Sequence, residues 1–96
     1  MAERPASRIL KGVGFERIAY THHAYHRMKR RRISHAEVKR IVNEPETTYP
    51  SRDAPDRTVA QGHLDDERRA LVVYTENHDR EADVLVVTVI DCESDE

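Results

Sequence analysis

Ninety-six residues, 38% hydrophobic and 35% charged, make a chain of single-domain size that buries only about 60–65% of its unfolded surface, which argues against a large enclosed substrate cavity. The apolar residues fall in dense blocks and no Pro-, Gly- or Ser-rich stretch divides them, so one folded domain over residues 1–96 is expected, ordered over about 14–91. The net charge of −2 hides a polarity: His22–Arg40 carries seven bases against the single acid Glu37, whereas Leu64–Glu96 carries eleven acids against Arg68, Arg69 and Arg80. Such asymmetry fits either a basic face for an anionic partner or charges that are solvated and paired within the fold.

In chain order, Met1–Lys11 lacks the apolar centre of a secretory signal, and no apolar run approaches the length of a membrane span. A soluble, cytoplasmic protein without membrane partners is therefore expected. Gly14–Tyr20 ends in Ile18-Ala19-Tyr20 and reads as a short first strand. His22–Arg31 contains no Gly, Pro or β-branched residue and places Ala24, Tyr25 and Met28 on one stripe, predicting a helix N-capped by Thr21. At 100° per residue, His22, His23, His26, Arg27 and Arg30 fall opposite that stripe. Ser34 and Glu37 form an S-x-x-E capping box with Ile33 and Val38 at the staple positions. A second helix follows, burying Val38, Ile41 and Val42 and ending before Pro45.

Beyond Pro45 the pattern turns extended. Thr47–Tyr49 fits an edge strand before Pro50, and Ser51–Asp56 a polar turn. Arg57–Leu64 fits a strand with Arg57, Val59, Gln61 and His63 on one side and a bulge at Gly62. Ala70–Thr75 and Val84–Ile90 predict a hairpin of central strands, and Asp91–Glu96 a frayed acidic tail. The tail holds Cys92, a single cysteine that excludes an intrachain disulfide and fits a reducing compartment. The expected class is α+β, ordered β-α-α-β-β-β, with a helical hairpin packed on one face of a mostly antiparallel sheet.

The residues His23-Ala24-x-x-Arg27-Met28, Arg32-Ile33-Ser34 and Val38, with Leu71-Val72-Val73 and Val87-Thr88-Val89 near the end, resemble a widespread prokaryotic family of small domains of unknown function. That family is grouped with the RelE/ParE-like toxin superfamily. The resemblance runs from Phe15 to Ile90, with its discriminating part between His23 and Ser34. It implies a RelE/ParE-like fold and a toxin-type endoribonuclease, acting on free or ribosome-bound RNA and neutralised by an antitoxin protein.

The residues themselves are compatible with RNA cleavage that needs no metal or other cofactor. Histidine serves as base or acid near neutral pH, and arginine's planar fork holds phosphate oxygens. His23 and Arg27, at i and i+4, share a helical face. His63 becomes the complementary acid if its side of the strand faces the helix start. Arg30, Arg31, Arg32 and Arg57 are the phosphate-binding candidates. Each has a structural alternative: His23 orienting the strand-to-helix junction, Arg27 pairing with a carboxylate, Arg32 as a helix C-terminal cation. A binding module using the same basic helix to dock on nucleic acid or an acidic protein is the second reading. A metal module built on His22 and His26 is the third, and its further ligands from His35, His63, His78 or Cys92 follow no recognisable pattern. With Phe15 the single Phe and no Trp, the platforms for base stacking are Tyr25, Tyr49 and Tyr74.

Overall fold

Thr21 joins the first strand, β1 (Ile18–Tyr20), to the first helix, α1 (His22–Arg31), and fastens the junction to the sheet. Its hydroxyl accepts from the Ala24 amide at 3.1 Å as the expected N-cap and donates to the Val87 carbonyl at 2.7 Å. Its own amide donates to the Val86 carbonyl at 3.0 Å. These details come from a computed structural model, which describes residues 14–93. The readings of Met1–Lys11 and of the tail beyond Glu93 lie outside the described residues.

The turn out of α1 is built from local bonds. Arg32 takes a left-handed conformation (φ 56°), its amide reaching the Lys29 carbonyl and the Ile33 amide the Met28 carbonyl. That is the Schellman pattern, with the accompanying apolar contact made by the buried Met28 and Ile33. Two residues later α2 (His35–Asn43) opens on the capping box read from the sequence: the Glu37 amide donates to Ser34 Oγ and the Ser34 amide to Glu37 Oε1. The second Glu37 oxygen accepts the Asp65 amide at 2.7 Å, so this buried carboxylate also ties α2 to the turn that follows His63 in the sheet.

Four further strands follow, β2 (Thr47–Pro50), β3 (Arg57–His63), β4 (Arg69–Thr75) and β5 (Val84–Asp91). The sheet order is β1-β5-β4-β3-β2, with β1 parallel to β5 and the other neighbours antiparallel. Two helices thus pack on a five-stranded mixed sheet, one strand more than the β-α-α-β-β-β order allows, because Thr47–Pro50 pairs fully with β3. Ala24 and Met28 from α1 meet Val38, Ile41 and Val42 from α2 over Ala60, Val72, Val86 and Val89, in a core that contains Tyr74 and Phe15. No helix among the described residues is long and apolar enough to cross a membrane.

Three expectations need correction. Gly62 marks no bulge, since β3 and β4 pair without a break from Arg57 to His63. A Cβ there would come within 2.9 Å of Ile41 Cγ1, so glycine is required by close packing of α2 on the sheet. The irregularity falls instead in β5 opposite Val73 and Tyr74, where Val87 is the extra residue. Asp91 does not begin a frayed tail; it ends β5 and is fully buried. Tyr25 is 51% exposed rather than core, because α1 rests on Ala24, Met28 and the stems of Arg27 and Arg31, which moves the buried stripe away from it.

Arg68, at the start of β4, explains why Asp91 is inside. Its Nη1 donates to Asp91 Oδ2 at 2.6 Å and to the Arg31 carbonyl at 2.9 Å, and Nη2 reaches the Arg32 carbonyl at 3.4 Å. One guanidinium therefore neutralises a buried carboxylate and caps the C-terminal carbonyls of α1. Arg68 Nε also pairs with the Asp66 carboxylate at 2.8 and 2.9 Å, so Asp91→Ala should lower stability by about 2 kcal/mol, the cost of one charged hydrogen bond lost at a buried site rather than of an unpaired charge. Chemical denaturation measures it; a loss below about 0.5 kcal/mol, typical of neutral surface changes, would mean that the link holds nothing.

Candidate nucleic-acid interface

Fixed at both ends, α1 presents a face without a single acid. His22, His23, Tyr25, His26, Lys29 and Arg30 are exposed along it. The His22 and His26 rings stack at 4.8 Å with 19° between planes, as one helical turn dictates for i and i+4. The Tyr25 ring meets His26 edge-on at 6.1 Å, and Lys29 Nζ lies 5.5 Å from the Tyr25 centroid. Arg30 and Arg32 have no carboxylate partner among the described residues. Several cations elsewhere are paired: Lys39 with Glu16, Arg40 with Asp65, Arg68 with Asp66 and Asp91, and Arg69 with Glu93.

Beside the start of α1, Tyr20, Thr21, His22, Tyr25 and Arg80 line an open cleft of about 490 Å³. Arg80 arrives from the β4–β5 connection. Its amide donates to His78 Nδ1 at 3.1 Å and its Nη1 to the Tyr20 carbonyl at 2.9 Å. Asp83 secures the same connection, its carboxylate accepting the Glu16 and Arg17 amides at 2.7 and 3.0 Å. Those bonds hold the Asp83 carboxyl below its ordinary pKa. The Tyr20 hydroxyl lies 2.6 Å from His35 Nδ1 at the start of α2. Burial pushes the Tyr20 phenol up to about 12, so it keeps its proton beside that nitrogen.

The structure brings some of the sequence-predicted residues together and separates others. His23 stands exposed on the outer face with His22 and His26, whereas Arg27 turns toward the sheet, its Nε donating to the Val89 carbonyl at 2.9 Å. Arg27 is therefore not opposite the buried stripe; its long stem packs beneath the helix while the head finds a strand carbonyl. Arg31 is half-buried on the same side, leaving Arg30 and Arg32 as the outward arginines. Arg57 begins β3, where alternation sets it on the sheet face away from Ala60 and Gly62, the residues beneath the helices.

His63 is not brought to the start of α1. It pairs in register with Arg69 at the far end of β4, while Thr21 bonds to Val86 and Val87 near the opposite end. Strand alternation also turns it away from the helices. Its Nδ1 instead meets the Glu46 carboxylate, near a second open cleft of about 370 Å³ with Arg40, Glu44 and Asp65. The metal candidates are likewise dispersed: His35 is engaged by Tyr20, His78 by Arg80, and Cys92 follows β5. Among the described residues no group of three or more His, Cys, Asp or Glu side chains is placed to hold an ion.

Tyr20 and Arg80 were invisible as site residues in the sequence. Tyr20 reads only as the end of a strand, and Arg80 as an isolated base in a polar turn, 60 residues from the carbonyl it holds. Residues 20–91 match the profile of a family described as a domain of unknown function (DUF4258). No curated protein and no solved structure matches the chain.

The raised Tyr20 value has a consequence at alkaline pH. A group whose folded pKa exceeds its unfolded value supports the fold below the unfolded value and loses that support as pH rises toward the folded one. Stability should therefore fall between pH 10 and about 12, and Tyr20→Phe should flatten part of that fall, Tyr74 contributing the remainder in the same direction. Denaturant midpoints across this range test it; an unchanged slope in the variant would contradict the assignment.

Proposed function

We propose that this chain, which belongs to the DUF4258 family, is an RNA-binding domain that grips the phosphodiester backbone with the exposed face of α1. The observation carrying this reading is that Lys29, Arg30 and three imidazoles stand exposed on a helix that carries no acid, with Arg32 following at its end, so that exposed bases are denser here than on any other element. Uncompensated cations on a fixed scaffold release counterions when they meet phosphate, which is the main source of affinity for a polyanion. The aromatic ring of Tyr25 among them favours nucleic acid over an acidic protein, since bases stack on such a ring.

Two helices between the first strand and an antiparallel run lend support to a RelE/ParE-like relationship, although the sheet has one strand more than the β-α-α-β-β-β order. A toxin-type endoribonuclease is accordingly the second reading, favoured by the adjacent His22 and His26 rings with His23 beside them. One imidazole would take the proton of a ribose 2′-hydroxyl as its oxygen attacks phosphorus. Another would protonate the departing 5′-oxygen, leaving a 2′,3′-cyclic phosphate and a 5′-hydroxyl end. Arg27, anchored on Val89, is a positioning residue in this scheme. Ribosomes and an antitoxin are the partners it would imply.

Fluorescence anisotropy with labelled RNA tests both readings. Affinity should fall steeply between about 50 and about 200 mM salt, and Lys29→Glu with Arg30→Glu should weaken binding at least about 10-fold and flatten the salt slope. Arg57→Glu, on the other sheet face, should change little. Equal losses at Arg57 and Arg30, or no binding by the wild type, would overturn the interface. Incubation of the same RNA in EDTA, with and without ribosomes, decides the second reading. Cleavage lost by about 10²- to 10⁴-fold in His23→Ala or His26→Ala supports it, and intact RNA under every condition removes it.

A further inference from the structure

The cleft at the start of α1 differs in kind from the basic helix face. It combines an aromatic ring, a fixed arginine and an imidazole, brought from two places in the chain. Tyr25 and His22 lie three residues apart on α1 and both line the cleft, while Arg80 reaches it from the β4–β5 connection. The arginine is held in place: Nη1 rests on the Tyr20 carbonyl, its amide on His78, and its own carbonyl accepts the Ala82 amide at 2.9 Å. Its other guanidinium donors have no partner among the described residues. A guanidinium already fixed at one nitrogen loses little side-chain freedom on meeting an anion.

We infer that this cleft is a subsite for one unstacked nucleotide of single-stranded RNA, its base against the Tyr25 ring and its phosphate between Arg80 and His22. The inference rests on the RNA-binding reading of α1 and adds a substrate form to it. Three observations converge. The volume of about 490 Å³ falls in the range of small-molecule sites. Tyr25 is a large aromatic left 51% exposed, which the core does not require, and Lys29 Nζ lies over one face of its ring, 5.5 Å from the centroid, where it can meet the backbone of a base stacked on the other face. Arg80 leaves an acidic connection to bond the Tyr20 carbonyl, and among the residues lining the cleft it is the single permanent cation, with no carboxylate beside it in the lining. A duplex keeps its bases stacked and paired, and cannot offer one to Tyr25.

The experiment compares a labelled single-stranded RNA with its own duplex at one salt concentration. The wild type should bind the single strand about 10-fold more tightly, within the range that one base stacked on an aromatic ring provides. Tyr25→Ala and Arg80→Gln should each bring the ratio of single-strand to duplex affinity down to about one. Tyr25→Phe, which keeps the ring, should retain the preference. Because Arg80→Gln also removes a bond to Tyr20, its thermal midpoint is measured alongside, and the Tyr25 pair decides if that variant fails to fold. Equal wild-type affinity for both forms, or a preference that survives Tyr25→Ala, would overturn the subsite and leave the basic face standing; binding of neither form would overturn both.

Discussion

The arrangement of this domain turns on a buried carboxylate and the arginine that answers it. Asp91 ends β5 with no exposure, and an unpaired charge there would be strongly unfavourable. Arg68 neutralises it from just before the neighbouring strand, reaches the carbonyls that end α1 with its Nη atoms, and is itself held through Nε by Asp66. At the other end of the helix, Thr21 bonds to two carbonyls of β5. Between them, Arg27 donates to Val89. Helix α1 is thus pinned along its length to a single strand, and its cationic outer face has a fixed orientation.

That pinning explains how a chain with net negative charge can carry a usable basic surface. The bases of α1 divide by geometry. Arg27 and the half-buried Arg31 lie on the sheet side, and Lys29, Arg30 and Arg32 face outward. Among the acids after Leu64, Asp65 meets Arg40 and Glu93 meets Arg69, away from α1. The β2 edge is guarded in a different way. The Ser51 amide donates to the Arg57 carbonyl, so odd-numbered residues of this strand turn their amides toward β3 and even-numbered ones outward. Pro50 occupies one of those outward positions and has no amide to offer another chain, which leaves α1 as the better prepared surface.

What the sequence revealed was the part that local chemistry decides. The Thr21 cap, the Ser34–Glu37 box, the stop before Pro45 and the central hairpin all depend on residues a few positions apart, and each lies where the pattern places it. What escaped depends on tertiary contact. Gly62 looked like a bulge because nothing in its own strand announces that Ile41 will press on it. Arg27 looked exposed because helical periodicity does not foresee a carbonyl of β5 beneath its head. His63 looked able to join His23 because alternation gives a side of a strand without saying which side the helices cover. Arg80 carried no signal at all, since only the fold brings the β4–β5 connection to Tyr20.

The central claim is that ligand meets this domain on the outer face of α1 and at the cleft beside its start. Amide and side-chain NMR shifts of the labelled protein, followed as a short single-stranded RNA is added, test it residue by residue. Changes should concentrate between Thr21 and Arg32 and at Arg80, leaving His63, Glu46 and the β2 strand unmoved. Changes centred on the His63–Glu46 cleft, or none anywhere on α1, would contradict the account.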